Sequence, residues 1–294
     1  METVLRSRSK EVVISVDRPF VMIGERINPT GRKVLAAEMR AGAMDRVKAD
    51  AIAQVEAGAQ MLDVNAGVPM VDEPALLVAA IKAVGEVTDV PICIDSSVIE
   101  ALEAALEVYE GKALVNSVTA EDDRMDRILP VVKKYGAAVI GMSNDETGIT
   151  MVPQERVEIA RRIIERAAYY GIPPEDVIID PIAMTVAADP QAGLVTLETM
   201  RLIKEQLGNN MACGASNVSF GLPDRSVLNA AFFPVAMHAG LTCAITNPLI
   251  HEVRKAVLAS DLLLGHDEYA MRWISVFRED QKKAAAAIES AARA

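Results

Sequence analysis

Short apolar runs alternate with amphipathic segments along nearly the whole chain, and this alternation restricts the possible folds more than any other feature. Strands of four or five apolar residues without polar alternation are typical of parallel sheets that are buried on both faces. Eight such candidate strands leave room for one helix between each pair, and they begin near residues 20, 60, 91, 113, 137, 177, 213 and 242. Eight strand–helix units in about 250 residues predict the α/β class and a single (β/α)8 barrel of the TIM type.

Four of the intervening segments show clear helical periodicity, and a glycine closely follows each of them. These segments are Met44 to Glu56, Ile99 to Val108, Val157 to Ala168 and Leu194 to Leu207. A glycine past the last turn accepts the left-handed backbone conformation that ends many helices. An open doubly wound sheet is the alternative, but the first strand-to-helix connection lacks the GxGxxG loop of that fold. We predict one domain over residues 1–294, with the barrel at about 20–265 and a C-terminal helix or tail at 266–294.

Composition and charge argue against several classes of protein. The formal net charge of −11 disfavours a nucleic-acid or anionic-membrane surface. Three cysteines cannot form a disulfide framework, and no Cys or His pair has metal-ligand spacing, so no metal site is expected. The uncharged stretch 226–250 contains Pro234 and Gly240, and we interpret it as a helix, a turn and a strand. The N-terminus has no apolar signal region, and these observations together predict a soluble, cytoplasmic protein.

Polar residues stand at the carboxyl end of every predicted strand, which is where active sites of such barrels lie. The first two strands end in residues 25–28 and 63–65, and the later ones end in residues 95–97, 116–117, 143–145, 180–181, 216–217 and 246–247. A helix cap or a turn is the alternative interpretation for each single position. Capping needs one residue per helix, whereas strands two and seven offer more, so capping does not explain the complete ring of polar residues. Carboxylates and amides with almost no Lys or His suit a planar, neutral heterocycle with several hydrogen-bond donors, and they do not suit a phosphate.

Six motifs occur at these strand ends in a fixed order. They are ERIN at 25–28, LDVNAG at 62–67, IDSS at 94–97, VNSVTAE at 115–121, IDP at 179–181 and GASNVSFGLPDR at 214–225. From about Phe20 to Leu264 the chain resembles the pterin-binding methyltransferases that act between methyltetrahydrofolate and corrinoid proteins, relatives of the folate module of cobalamin-dependent methionine synthase. The resemblance implies a dihydropteroate-synthase-like (β/α)8 barrel, in agreement with the periodicity.

The resemblance also implies a folate site and a role for each matching residue. The family's ligands to the pterin ring correspond to Asp95, Asn116 and Asp180. Its asparagine that hydrogen-bonds the methyl-bearing nitrogen, N5, corresponds to Asn217, which is therefore the candidate catalytic residue. The other implied contacts are the loop residues Gly214 and Ser216, the folate-site arginine Arg225 and the apolar ring contact Ile245. The polar residues at the ends of the first two strands are further candidates: Glu25, Asn28, Asp63 and Asn65.

The reaction implied by the resemblance is methyl transfer between N5 of tetrahydrofolate and the cobalt of a corrinoid (cobalamin). The chain has no DxHxxG motif for binding a corrinoid, so a separate corrinoid protein is the expected partner. A hydrogen bond from Asn217, as a neutral donor, that strengthens as N5 becomes more basic stabilises the transition state more than the ground state. The proton comes from solvent or through Asp63 or Asp95, and the direction of transfer stays open. The resemblance further implies a homodimer.

Two other functions remain as alternatives. Dihydropteroate synthase shares the barrel and the pterin ligands, but it uses a Lys after the strand-seven serine and a basic pair after strand eight. Here these segments read Ser216-Asn217-Val218 and Thr246-Asn247-Pro248. A non-catalytic folate-binding module is the second alternative. Three basic residues near the end of strand one either meet the glutamate tail of a folate or are solvated surface charges: Arg26, Arg32 and Lys33.

Overall fold

The computed structural model of the protein describes residues 1–293, with side chains up to residue 282 and at residue 285. Two strands pair as an antiparallel hairpin, and the others form a curled parallel sheet in the order β8-β7-β6-β5-β4-β3-β9. The strands of the described chain are β1 (Thr3–Arg6), β2 (Glu11–Ile14), β3 (Val21–Ile27), β4 (Met61–Asn65), β5 (Ile92–Asp95), β6 (Leu114–Thr119), β7 (Ala138–Met142), β8 (Val177–Asp180) and β9 (Cys243–Thr246).

Helices cover the outer face of the parallel sheet, and buried apolar residues fill the space between the two layers. The α-helices are α1 (Lys33–Arg40), α2 (Asp45–Glu56), α3 (Glu73–Val87), α4 (Ile99–Val108), α5 (Asp122–Tyr135), α6 (Pro153–Tyr169), α7 (Ala192–Gln206), α8 (Arg225–Ala239), α9 (His251–Leu263) and α10 (Met271–Arg293). The four predicted helices are confirmed. The helix predicted from Val157 begins earlier, at Pro153, and proline is a favoured residue in a first helical turn. Residue 294 of the predicted C-terminal helix or tail lies outside the described residues.

The prediction of a strand near Cys213 is wrong, although an irregular segment occupies that place in the barrel. The segment 210–214 bonds to both edge strands of the sheet. The Ile179 amide of β8 donates to the Asn210 carbonyl (2.9 Å), and the Ile245 amide of β9 donates to the Cys213 carbonyl (3.0 Å). The segment is too short for a continuous ladder, because the chain turns directly into a 3₁₀ helix at residues 215–219. It closes the ring, and the predicted α/β barrel class is confirmed.

The β1–β2 hairpin closes the amino end of the barrel, and it was not predicted. Leu5 and Ile14 are fully buried and pack against side chains that point into the barrel from its strands. The side-chain amide of Asn210 donates to the Ile14 carbonyl (2.8 Å) and to the Thr3 hydroxyl (2.9 Å), which ties the hairpin to the closing segment. The open end of the barrel is therefore the carboxyl end of its strands.

The uncharged stretch 226–250 folds as predicted. It supplies most of α8, a turn at Gly240 and strand β9. Gly240 has a φ of 118°, a left-handed value that favours glycine. Within residues 1–293, none of the helices combines the length and the apolar character that crossing a membrane requires.

Candidate active site

One cavity of about 420 Å³ opens at the carboxyl end of the strands. All the predicted site residues except Asn65 and Arg225 line it. The complete lining, which we call the strand-end cavity, consists of Glu25, Arg26, Asn28, Thr30, Arg32, Asp63, Asp95, Asn116, Met142, Asp180, Gly214, Ser216, Asn217 and Ile245. This volume falls in the range of pockets that enclose a small organic ligand.

Asn65 and Arg225 are not part of the lining, but both form hydrogen bonds to residues that belong to it. The Asn65 side-chain amide donates to the Asp95 carboxylate (3.0 Å). Arg225, the first residue of α8, donates to the Ser216 carbonyl (2.7 Å) and to the Ser219 hydroxyl (3.0 Å). Both side chains therefore orient cavity residues from outside the cavity wall.

Two carboxyl groups, Asp63 and Asp95, lie on neighbouring strands in one wall of the cavity. The Asn116 amide donates to Asp63 at 3.3 Å. Burial raises the pKa of Asp63 well above its ordinary value, and the nearby charge of Asp95 raises it further. Burial also raises the pKa of Asp95, against the opposing hydrogen bond from Asn65. Two buried carboxyl groups this close favour holding a proton between them.

Asp180 ends strand β8 and presents its carboxyl group at the cavity wall. One of its oxygens accepts the Ile182 amide at 2.7 Å. Burial raises the pKa of Asp180 to about 7, although this hydrogen bond and the positive charge of Arg156 act in the opposite direction. Ile182 has a φ of 60°, an uncommon left-handed conformation for a β-branched residue. The backbone next to Asp180 is therefore held in a strained conformation.

Arg156 of α6 holds this strained backbone, and it was not among the predicted site residues. Its side chain is fully buried and donates to the carbonyls of Pro181 (2.8 Å) and Ile182 (2.9 Å). A signal was present in the sequence, because residues 156, 160, 163 and 167 share one face of a helix at the spacing of a buried stripe. The last three of these positions are apolar and buried.

A short 3₁₀ turn carries Ser216 and Asn217 into the cavity. The Asn217 amide nitrogen of the backbone donates to the Gly214 carbonyl at 3.0 Å. A Cβ at Gly214 would lie 3.0 Å from the Asn217 side-chain nitrogen, so glycine permits this close approach. The Ser216 hydroxyl donates to the Glu25 carboxylate at 3.2 Å. Burial raises the pKa of Glu25, and the Ser216 hydrogen bond opposes that effect.

A bulge in strand β3 places both Glu25 and Arg26 at the cavity wall. Gly24 pairs with Leu62 and Ile27 pairs with Val64, so two residues of β3 lie opposite one residue of β4. The buried side chain of Gln54 accepts the Arg26 amide at 2.8 Å. Arg26 and Arg32 are consequently half-buried cavity residues rather than solvated surface charges, and Arg32 pairs with Asp50 at 2.6 Å.

Two other polar strand-end residues stabilise turns, which was the alternative interpretation of the polar strand ends. Asp145 accepts the Thr147 amide (3.0 Å) and pairs with Arg162 (3.1 Å), outside the strand-end cavity. Asn247 accepts the Leu249 amide at 3.1 Å, which stabilises a turn. These two residues provide matched controls for the residues that line the cavity.

The buried carboxyl groups predict that stability falls as the pH rises. Because the pKa of Asp180 is raised from 3.8 to about 7, the folded chain binds its proton more tightly than the unfolded chain. The free energy of unfolding therefore decreases between about pH 4 and pH 7, by at most about 4 kcal/mol from this group. Melting temperatures measured across this range should fall less for Asp180→Asn than for the wild type. Equal slopes for the two proteins would contradict the raised pKa.

Comparisons with known proteins agree with this geometry. The family model described as "Pterin binding enzyme" matches residues 24–247. The chain is 32% identical over 268 residues to a methylcorrinoid:tetrahydrofolate methyltransferase from Eubacterium limosum, covering 88% of this chain and 97% of that protein.

Among solved structures, dihydropteroate synthase from Thermus thermophilus has a TM-score of 0.67 at 20% identity, covering 88% of this chain and 99% of that one. Dihydropteroate synthase from Xanthomonas albilineans, solved with 4-aminobenzoic acid, also has a TM-score of 0.67, at 19% identity, covering 90% and 98%. At these identities the two structures establish the shared barrel fold alone. The family match spans most of the chain, including the segments that build the strand-end cavity, and the chain belongs to the family of pterin-binding enzymes.

Proposed function

We propose that this protein is a methyltransferase that moves a methyl group between N5 of tetrahydrofolate and the cobalt of a corrinoid held by a separate protein. The observation that carries the proposal is the convergence of Asp95, Asn116, Asp180 and Asn217 on one cavity. The name of the Eubacterium limosum relative supports the same pair of substrates. It also supports transfer from the methylcorrinoid to tetrahydrofolate as the direction.

The pterin ring binds through its hydrogen-bonding edges. The pyrimidine edge carries an N–H and an NH2 group side by side, and one carboxylate accepts both of them. Asp180 is suited to this contact because the Ile182 amide orients the carboxylate through one oxygen, and each of the two oxygens keeps a lone pair for a ring donor. Asn116 donates to Asp63, so its side-chain oxygen is free to accept from the ring. These donors also compensate the cost of burying Asp180.

The chemistry requires a change in charge at N5. In transfer to tetrahydrofolate, the N5 lone pair forms a bond to the methyl carbon, the carbon–cobalt bond breaks, and its electron pair stays with cobalt as Co(I). N5 then loses its proton. The side-chain oxygen of Asn217 accepts the N5–H in the transition state, which the forward and reverse reactions share. The proton leaves to solvent or to the Asp63–Asp95 pair, which favours a bound proton.

A direct assay tests this function. Purified protein is mixed with methyltetrahydrofolate and Co(I) cobalamin, and the loss of Co(I) absorbance is followed. We expect turnover that depends on protein concentration, because an enzyme accelerates both directions of its reaction. Intact folate binding without turnover would favour the non-catalytic folate-binding module instead.

Dihydropteroate synthase-like condensation is the alternative activity, and the similarity of the solved structures is the observation that favours it. That reaction requires a site for pyrophosphate. The positions after Ser216 and Thr246 carry Asn217 and Asn247 rather than basic residues, and Arg32 is already paired with Asp50. Formation of dihydropteroate from a pterin pyrophosphate and p-aminobenzoate would support the alternative.

We also propose that residues 1–294 form one pterin-binding domain that assembles as a cytoplasmic homodimer and binds neither nucleic acid nor membranes. The family resemblance implies the dimer, and an apolar groove between α7 and α8 that exposes Leu194 and Val235 offers a surface for it. The three buried, unpaired cysteines suit a reducing compartment. Sedimentation equilibrium of the wild type and of Val235→Asp tests the dimer, which the substitution should dissociate.

A further inference from the structure

We propose that Arg156 is a positioning residue that holds Asp180 in the orientation required for binding the pterin ring. The inference rests on the proposed function, because it assigns Asp180 to the ring. Arg156 itself lies behind the cavity wall on α6, and it acts through the backbone that directly follows Asp180.

Arg156 is bound by backbone carbonyls rather than by a carboxylate. Its side chain is fully buried, and it donates to the carbonyls of Thr150 (2.8 Å), Pro181 (2.8 Å) and Ile182 (2.9 Å). Burying a guanidinium group is costly unless its N–H groups are satisfied, and these three carbonyls accept from three of its five N–H groups. The Met184 sulfur accepts from a fourth, at 3.2 Å. One nitrogen, Nη1, donates to both consecutive carbonyls, while Nε of the same rigid planar group donates to the Thr150 carbonyl.

The two consecutive carbonyls belong to the strained part of the chain. Ile182 has a φ of 60°, and conformations of this kind persist only when surrounding contacts fix them. Arg156 fixes the Pro181 and Ile182 carbonyls on one side of this backbone. The Ile182 amide, on the other side, donates to Asp180 at 2.7 Å. A chain of contacts therefore runs from the guanidinium group through the backbone to the carboxylate that faces the cavity.

The experiment measures the dissociation constant of tetrahydrofolate and the transfer rate at saturating folate for Arg156→Met, Arg156→Lys and Asp180→Asn. We expect Arg156→Met to raise the dissociation constant about 10- to 100-fold, as the loss of a charge-assisted hydrogen bond does. The saturated rate should change much less, because Asn217 stays in place. Arg156→Lys should recover part of the affinity, since it keeps the charge and can reach one of the carbonyls.

A double-mutant cycle separates positioning from a general loss of stability. In Asp180→Asn, residue 180 no longer accepts both ring donors, so its orientation contributes little to folate binding. Adding Arg156→Met to this variant should therefore raise the dissociation constant of tetrahydrofolate only slightly further. Val132→Ala, a buried substitution in α5, is the control that lowers the melting temperature without changing the dissociation constant of the folded protein. An unchanged dissociation constant in Arg156→Met, or fully additive losses in the double variant, would overturn the proposal. Wild-type folate binding and turnover are measured first, so a failure of the proposed function is recognised separately.

Discussion

Replacing Asp180 with asparagine is expected to weaken the binding of tetrahydrofolate by about 10²- to 10⁴-fold. The carboxylate accepts two ring donors, whereas an asparagine offers one acceptor oxygen and turns an NH2 group toward a ring N–H. Because the site is buried, water does not replace the lost carboxylate oxygen as an acceptor for the ring N–H. Isothermal titration calorimetry with tetrahydrofolate measures the change directly.

Asp145→Asn is the matched control for this substitution. It removes the same charge from a strand-end aspartate that lies outside the strand-end cavity and pairs with Arg162. We expect this variant to bind tetrahydrofolate as the wild type does. Normal folate binding by Asp180→Asn would show that the ring contact is assigned to the wrong carboxylate.

Replacing Asn217 with alanine is expected to slow methyl transfer by about 10²- to 10³-fold at saturating folate. The amide oxygen accepts from N5–H in the transition state shared by both directions, so its removal raises the barrier in both directions of transfer. Folate should also bind more weakly, because a polar contact to the ring is lost. Single-turnover measurements with methylcobalamin and tetrahydrofolate separate the two effects.

Asn247→Ala provides the comparison for Asn217→Ala. Asn247 follows the neighbouring strand β9, and its side chain stabilises a turn. Its removal should leave the single-turnover rate within about twofold of the wild type, since surface turn substitutions have small effects. A transfer rate that is equally unaffected in Asn217→Ala would remove this residue from the reaction.

The barrel and the composition of its cavity could be predicted from the sequence because both depend on periodic, local signals. The apolar runs determine where the parallel strands lie, and parallel strands place their carboxyl ends at one edge. The residues at positions 95, 116, 180 and 217 therefore share one cavity even though they are far apart in the chain. The ordered motifs indicated what kind of ligand such a set of residues binds.

The remaining features depend on contacts that periodicity does not reveal. Strands of four residues such as β1 and β2 are marginal alone and are stabilised only by packing against the finished barrel. The segment near Cys213 has strand-like composition, but the 3₁₀ turn that follows it limits its pairing to isolated bridges. Arg156 occupies a helix whose other arginines face solvent. Its burial is determined by backbone carbonyls that come from the loop before α6 and from the loop after β8.

The hairpin at the amino end of the barrel has a kinetic consequence for the proposed reaction. With that end occupied by Leu5 and Ile14, the small substrate and the cobalt centre must approach through the same opening. A protein seated over the opening blocks the passage of folate in either direction. For the proposed reaction we therefore expect a compulsory order, in which folate is the first reactant to bind and the last product to leave. A large excess of the corrinoid protein should then inhibit turnover by trapping the methylated product beneath it.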